Sequence, residues 1–227
     1  MIREATHEDL RSMAEVLAAA FHHEELFGHL LHPYRDEYPD DYLRYFEYMM
    51  WKHLLDPSRR VLVALDQAGA KIVGVGSWER QGSTASRAST AGEMGWLAPQ
   101  KLYQTLASKW TDAQFKMWPN KAADPTKANV FEESFAFYKH HWAGSRENTW
   151  YLAFLGVHPD YQRKHHGKEL VEWGIEQATK DGVCASVISS YGSEGFYGRF
   201  GFVEVGRSNV GPLAELKGGA IMFTEVL

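Results

Sequence analysis

Basic side chains are concentrated just after an apolar stretch that ends near position 157. The segment reads Leu155-Gly156-Val157-His158-Pro159-Asp160-Tyr161-Gln162-Arg163-Lys164-His165-His166-Gly167-Lys168. Its pattern predicts a strand, a short turn and then a helix that begins at a glycine. The first N–H groups of a helix have no intrahelical partner and the helix dipole is positive there, so they attract anions. Together with Arg163, Lys164 and Lys168, they predict a site for a phosphate or pyrophosphate group.

The elements that must position this site alternate between strands and helices. In the first part of the chain, a strand at residues 2–5 precedes a helix that opens at Thr6, and a second helix spans about residues 40–55. Two strands at residues 60–65 and 71–78 form a hairpin. After residue 148 we predict strands at 149–157, 184–189, 202–205 and 220–224, a helix at 168–180 and one or two helical turns at 194–200. Such alternation predicts an α/β fold with a mixed or parallel sheet.

Residues 81–146 are predicted to form a helical insertion within a single domain that spans residues 1–227. The insertion begins with a Gly-, Ser- and Thr-rich stretch that has almost nothing to bury. Two helices are then expected, the first with Leu102, Leu106 and Trp110 at fourfold spacing. The second helix carries a stripe of aromatic residues, which favours a core-facing surface or, alternatively, a cover over an apolar acceptor pocket. The stripe consists of Phe131, Phe135, Tyr138 and Trp142.

Composition limits the classes of partner. The 227 residues include 24 Lys and Arg against 29 Asp and Glu, a net charge of -5, which argues against nucleic acid and anionic membranes as partners. The single cysteine, Cys184, cannot form an internal disulfide, and no apolar run approaches the roughly 20 residues that span a bilayer. The histidines at positions 22, 23, 29 and 32 lack the His-Glu-x-x-His spacing of a metal site. We therefore expect a cytoplasmic monomer or homodimer without a bound metal.

The basic segment resembles the pyrophosphate loop of the GNAT superfamily, the acyl-coenzyme A dependent N-acyltransferases. That loop reads Gln or Arg, two free positions, Gly, one free position, and Gly or Ala. Gln162 and Gly167 match this pattern, whereas His165 stands at the first glycine position. Residues 190–202 are similar to a late segment of the family, in which a tyrosine before an aromatic-Gly-aromatic end lies beside the coenzyme A sulfur. Tyr197 takes that place, and the long middle insertion is similar to that of fungal relatives.

This resemblance implies the GNAT fold, with a mixed sheet whose central strands, at 149–157 and 184–189, splay apart. Acetyl-CoA would lie in the opening as the co-substrate, and its pantetheine arm would pair with the backbone of the first strand. Ser190 occupies a position that often contacts the pantetheine arm or caps a helix. The residues implied to bind the cofactor are Phe154, Leu155, Gly156, Val157, Gln162, Arg163, Lys164, His165, His166, Gly167, Lys168, Ser190 and Tyr197.

The resemblance also implies catalytic roles. The Tyr197 phenol would give a proton to the departing thiolate. Many relatives carry a Glu or His on the central strand as the general base, but here the positions expected to face the cavity are Thr149, Tyr151 and Ala153. Tyr151 is therefore a candidate catalytic residue without being a carboxylate. Glu147, just before the strand, and Glu25, after the first helix, are the candidate bases.

The expected function is that of an N-acetyltransferase. It would move an acetyl group from acetyl-CoA to a primary amine of a small aromatic or amphipathic molecule. A GNAT-fold O-acyltransferase or another biosynthetic enzyme is an alternative, favoured by the missing strand carboxylate. A second alternative is a non-catalytic coenzyme A binding domain, which His165 favours and Tyr197 argues against.

Overall fold

Seven strands form one mixed sheet in the computed structural model, which describes residues 1–83 and 117–225. The strands are β1 (Ile2–Glu4), β2 (Arg59–Leu65), β3 (Ile72–Gln81), β4 (Thr149–Val157), β5 (Cys184–Ser189), β6 (Val203–Arg207) and β7 (Ala220–Phe223). Their order in the sheet is β1-β2-β3-β4-β5-β7-β6. β4 and β5 are parallel, and the other neighbours are antiparallel. The predicted α/β class with a mixed sheet is therefore confirmed.

Helices cover both faces of this sheet. In the described residues the α-helices are α1 (Leu10–Phe21), α2 (Pro39–Leu55), α3 (Val130–Tyr138), α4 (His166–Asp181) and α5 (Glu194–Gly198). β2 shows the two faces clearly, because alternate side chains point to opposite sides of a strand. Val61 and Val63 pack in the core of α1 and α2, whereas Leu62 and Ala64 pack in the core of α4. The sheet thus separates two hydrophobic cores.

The start of α1 differs from the prediction. A 3-10 turn at His7–Asp9 separates Thr6 from the α-helix. The Asp9 carboxylate accepts the Thr6 N–H at 2.8 Å and pairs with Arg3 at 2.7 Å. These bonds complete the capping box that the sequence indicates, and the extra pair with Arg3 ties β1 to the helix start.

β4 and β5 stay together over only part of their length. Their register runs from Thr149 opposite Cys184 to Leu152 opposite Val187, and no pair follows. β4 nevertheless continues to Val157, where it still pairs with Gly74 of β3. Among the residues that the structure describes, no strand covers one edge of the second half of β4, and the predicted splay of the central strands is confirmed.

A β-bulge in β4 lies at the same place. Ser77 of β3 pairs with Phe154, and the next residue, Trp78, pairs with Leu152, so Ala153 is the extra residue. A bulge bends its strand and interrupts the alternation of side chains between the two faces. Phe154 consequently packs in the core of α1 and α2, whereas Leu152 packs in the core of α4.

Of the predicted insertion at residues 81–146, the structure describes residues 81–83 and 117–146. The predicted aromatic helix is α3, followed by a 3-10 turn at Lys139–His141. Its stripe faces more than one environment, since Tyr138 is buried while Phe131 and Phe135 are 41% and 50% exposed. The core-facing interpretation is thus wrong for those two residues. The other predicted helix, with Leu102, Leu106 and Trp110, lies outside the described residues.

The histidines near the end of α1 have separate partners. His22 lies 3.0 Å from the Asp36 carboxylate, and Nδ1 of the buried His32 lies 2.7 Å from the Phe27 carbonyl oxygen. Across residues 1–83 and 117–225, His, Cys, Asp and Glu side chains form no group of three or more that could hold a metal ion. In the same residues, every helix is too short or too polar to cross a membrane.

Gly174 on α4 provides a test of this packing. Its Cα faces the indole of Trp78, which is fully buried and donates its Nε1–H to the Leu170 carbonyl at 3.0 Å. A Cβ at position 174 would overlap the indole ring. We expect Gly174→Ala to lower the free energy of unfolding by about 3 kcal/mol, because overpacking a rigid core costs roughly that much. Urea unfolding would measure the change.

Gly195→Ala is the matched control. A Cβ at position 195 would meet nothing within 4 Å, so this variant should match the wild type or be slightly more stable. Equal stability of the two alanine variants would show that α4 does not lie against Trp78 as described.

Candidate active site

The uncovered edge of β4 borders a cleft that we call the basic cleft. It has a volume of about 770 Å³ and lies between β4, the start of α4, and α5. Eight of the predicted cofactor-binding residues line it. They are Leu155, Val157, Gln162, Arg163, His165, His166, Gly167 and Lys168.

The start of α4 has the backbone geometry of an anion site. His165 is the residue before the helix and has φ 67°, the left-handed conformation that glycine adopts most readily. The first backbone hydrogen bond of the helix runs from the Glu169 N–H to the His165 carbonyl at 3.1 Å. The N–H groups of residues 166–168 have no backbone acceptor in the described residues. The backbone conformation expected of the missing glycine is therefore kept by a histidine.

The side chains at this helix start fit an anionic ligand. His166 is 6% exposed, and its buried Nδ1 has no hydrogen-bond partner among the described residues. Burial lowers the pKa of His166, so the ring is neutral near pH 7 and one nitrogen can carry a hydrogen for donation. Arg163 and Lys168 also line the basic cleft. An oxygen-rich anion would satisfy these donors together.

Other predicted cofactor residues do not line the basic cleft. The Lys164 ammonium donates to the Asp160 carbonyl at 3.1 Å and lies over the Tyr161 ring. A Cβ at Gly156 would lie 2.7 Å from Leu17, on the opposite face of the sheet. Phe154 and Ser190 line a second cavity, described below. Tyr197 is buried between Phe196 and Phe202 and lines neither cavity.

Sequence reasoning missed one wall of the basic cleft. Phe196 of α5 lines the cleft with Arg199 and Phe200, the first two residues after this helix, and the Arg199 guanidinium lies 5.5 Å from the Phe196 ring centre. Spacings of three and four residues put these side chains on one helical face. That spacing was available as a signal, and it also indicates that Tyr197 points elsewhere.

A second cavity, which we call the apolar cavity, lies on the other side of the opening between β4 and β5. Its volume is about 410 Å³. Phe154 lines this cavity and the next residue, Leu155, lines the basic cleft, so the two spaces lie on opposite sides of β4 beside the opening. Most of its lining is aromatic or aliphatic. These side chains include Leu26, Phe27, Tyr45, Met49, Phe131, Tyr138, Tyr151, Ile188, Leu213 and Leu216.

Two carboxylates at the apolar cavity have different roles. Glu24 precedes a π-helical turn at Glu25–Leu30, and its Oε2 accepts the N–H groups of Leu26 at 2.9 Å and Phe27 at 2.7 Å. Burial raises the pKa of Glu24, while these N–H groups and the Ser190 hydroxyl oppose the shift. The Glu25 carboxylate instead accepts the backbone N–H groups of residues 217 and 218 at 3.0 and 3.1 Å. Glu24, which sequence reasoning missed, therefore borders the cavity near Ser190.

A histidine and an arginine also line the apolar cavity, and sequence reasoning missed both. His53 is buried, and its Nδ1 lies 2.8 Å from the Ser77 hydroxyl. Burial lowers its pKa to about 3, so the imidazole is neutral near pH 7. Arg59 pairs with Glu79 at 2.6 Å, and its buried Nη1 lacks a hydrogen-bond partner within the described residues. The cavity thus offers polar contacts at well-separated points of its wall.

The two predicted catalytic tyrosines lie close enough to influence each other. Tyr151 lines the apolar cavity, and burial raises its pKa. Burial also raises the pKa of Tyr197, and the nearby Tyr151 raises it further. Both phenols therefore stay protonated near pH 7 and can act as proton donors.

The remaining base candidates on or before β4 do not reach either space. Glu147 is exposed and lines neither the basic cleft nor the apolar cavity. Thr149 is fully buried, and its hydroxyl donates to the Cys184 carbonyl at 2.9 Å. Of the three β4 positions expected to face the cavity, only Tyr151 and Ala153 line the apolar cavity. Thr149 lies where β4 still pairs with β5.

Comparisons with known proteins agree with this geometry. The family model described as Acetyltransferase (GNAT) family matches residues 23–202. An acetyltransferase from Stachybotrys chartarum is 28% identical over 212 residues, which cover 92% of this chain and 83% of that protein.

Solved structures share the fold at low sequence identity. One, described as histone acetyltransferase HPA2 and related acetyltransferase from Corynebacterium glutamicum, has a TM-score of 0.62 at 17% identity, covering 100% of this chain and 96% of that one. Another is PaiA N-acetyltransferase from Thermoplasma acidophilum in complex with coenzyme A, with a TM-score of 0.53 at 13% identity. That match covers 99% of this chain and 98% of the other.

The left-handed conformation of His165 can be tested by stability. We expect His165→Gly to raise the free energy of unfolding by about 0.5–1 kcal/mol, since relief of roughly 1–2 kcal/mol of strain exceeds the added entropy of an unfolded glycine. Lys164→Gly, at a position with ordinary φ, should lower the free energy of unfolding. Urea unfolding of both variants measures the difference, and a loss of stability in both would contradict the strained conformation.

Proposed function

Because the chain belongs to the GNAT acetyltransferase family, it is an acyltransferase, and we propose that it moves an acetyl group from acetyl-CoA to a primary amine of a small aromatic or amphipathic molecule. One observation carries this proposal. A basic cleft and an apolar cavity lie on opposite sides of the β4–β5 opening, and the adjacent β4 residues Leu155 and Phe154 line one each. Two substrates that approach from opposite sides would bring their reacting groups together there.

The basic cleft suits coenzyme A. In our proposal the N–H groups of residues 166–168 bind the pyrophosphate, with Arg163 and Lys168 adding charge. The uncovered edge of β4 offers backbone groups to the pantetheine arm, in the manner of an added strand. The thioester supplies the activated acetyl group, and a β4 N–H near Phe154 would stabilise the oxyanion that forms on its carbonyl.

The apolar cavity suits a small acceptor. Its volume of about 410 Å³ lies in the usual range for small-molecule sites, about 300–1,000 Å³. Phe131 and Tyr138 of α3 contribute to its wall, which supports the interpretation of this helix as a cover over an acceptor pocket. An aromatic or amphipathic amine would bury its ring here and direct its nitrogen towards the opening.

We assign the proton donor for the thiolate to Tyr197, with Tyr151 as its neighbour. Burial keeps both phenols protonated. A thiolate that departs at the opening would take a proton from Tyr197, which would then be restored from the attacking nitrogen. Burial disfavours the phenolate, so Tyr197 rests as a neutral phenol before and after the transfer.

Cofactor binding provides the first test. Acetyl-CoA at about 100 times its dissociation constant should add roughly 2.7 kcal/mol to the free energy of unfolding, and NADH should add little. Gly167→Asp should lose the effect of acetyl-CoA through charge repulsion. A Cβ at position 167 meets Phe196 and Val157 at an ordinary 3.6 Å, so the variant should fold. Thermal unfolding with each ligand measures this, and undiminished affinity in the folded variant would show that the phosphate site lies elsewhere.

Tyr197→Phe tests the proton donor. We expect turnover to fall by roughly 10-fold to 1000-fold with little change in coenzyme A affinity, since general acid catalysis contributes about that much. Phe keeps the ring that packs between Phe196 and Phe202. Mass spectrometry with matched aromatic amines and alcohols measures turnover and shows whether nitrogen or oxygen is acetylated. An unchanged turnover number would remove Tyr197 from the mechanism.

A further inference from the structure

The opening between β4 and β5 lacks a carboxylate from either bordering strand. β4 contributes Tyr151, Ala153 and Phe154 to the apolar cavity, and the end of β5 contributes Ile188 and Ser189. An alkylamine has a pKa near that of lysine, about 10.4, and is protonated near pH 7. It must lose a proton before its nitrogen can attack a carbonyl carbon. The base has to come from another element.

Glu24 is held in place by two backbone hydrogen bonds that end on the same carboxylate oxygen. Both bonds, from the N–H groups of Leu26 and Phe27, end on Oε2. Oε1 accepts no backbone N–H from the described residues. The Ser190 hydroxyl, one residue beyond the end of β5, lies within hydrogen-bonding reach of this carboxylate. A carboxylate fixed by backbone N–H groups on one oxygen and lying beside the Ser190 hydroxyl therefore lines the apolar cavity.

The other titratable groups of the cavity are less suited to accept the proton. Glu25 is engaged by the backbone N–H groups of Lys217 and Gly218. Nδ1 of His53 is already hydrogen-bonded to the Ser77 hydroxyl, and the pKa of about 3 makes this imidazole a weak base. Burial shifts Glu24 the opposite way, towards the neutral range in which a general base is most effective.

We propose that Glu24 binds the ammonium group of the acceptor and then removes its proton. This inference rests on the proposed amine acetylation. Charge and hydrogen bonding would fix the nitrogen between Glu24 and Ser190, while the hydrocarbon body packs on Phe27 and the other aromatic walls. Glu24 is then both the residue that selects amines and the general base.

Acetyl transfer from the thioester to the amine conserves atoms and protons. The acceptor R–NH₃⁺ gives one proton to the Glu24 carboxylate, and the freed lone pair attacks the thioester carbonyl carbon. Collapse of the tetrahedral intermediate breaks the C–S bond, and the second proton leaves the nitrogen for the thiolate through Tyr197. The products are the amide and the coenzyme A thiol, and protonated Glu24 returns its proton to water.

Glu24→Gln is the decisive variant. The glutamine carbonyl oxygen can still accept the N–H groups of Leu26 and Phe27, so the π-helical turn should be kept. We expect kcat/KM for a phenylalkylamine to fall by about 100-fold to 10,000-fold, the usual contribution of a general base. Coenzyme A affinity, measured by calorimetry, should stay within about twofold. A kcat/KM within threefold of the wild type would overturn the proposal.

Glu25→Gln is the matched comparison. It removes the same charge from the neighbouring position, and its carbonyl oxygen can still accept the backbone N–H groups of residues 217 and 218. We expect a loss at least tenfold smaller than that of Glu24→Gln. An equal or larger loss would show that total negative charge in the cavity, rather than the position of Glu24, determines the rate.

An acceptor that is already neutral separates proton removal from simple positioning. An arylamine is largely unprotonated near pH 7, so its acetylation needs no base before attack. The ratio of wild-type to Glu24→Gln kcat/KM should be at least tenfold smaller for the arylamine than for the phenylalkylamine. Equal ratios would overturn the role of Glu24 as a base.

The same measurements keep this inference distinct from the proposed function. Failure of the wild type to acetylate any amine, despite binding acetyl-CoA, would contradict amine acetylation itself. Efficient amine acetylation by both wild type and Glu24→Gln would contradict the role of Glu24 alone.

Discussion

Hydrogen bonding between β4 and β5 stops at Leu152 and Val187, and both candidate substrate sites depend on this interruption. A continuous parallel pair would close the sheet and separate the two cavities by a wall of backbone. β3 continues to pair with β4 as far as Val157, so the exposed edge is held in the sheet from its other side. Within the described residues, this edge of β4 has no strand partner beyond Leu152, and a ligand that adds like a strand could pair with it.

The bulge at Ala153 gives this opening its two chemically different sides. It lets Tyr151 and Phe154 line the same cavity although they are three residues apart. Leu155 and Val157 are thereby directed towards the basic cleft. A single extra residue in β4 therefore decides which side chains line the apolar cavity and which line the basic cleft.

Charge is distributed unequally across the opening. The basic cleft combines a helix start with Arg163 and Lys168. The apolar cavity is lined by Glu24, Glu25, the neutral His53 and Arg59, whose charge is paired with Glu79. Burial makes each charge in the cavity costly, so Glu24 is stabilised by backbone N–H groups rather than by a cation. This arrangement favours an anionic ligand on one side and a cationic, partly apolar one on the other.

The sequence alone determined the local elements. The α/β order, the helix start at residues 166–168 and the signature around Gln162 and Gly167 follow from periodicity and from the chemistry of helix ends, which are properties of neighbouring residues. The left-handed conformation of His165 and the register shift at Ala153 depend on tertiary context, as does the approach of Glu24 to Ser190. Residues that are more than a hundred positions apart meet only through packing, and a pattern of neighbours carries no information about which distant surface will cover them.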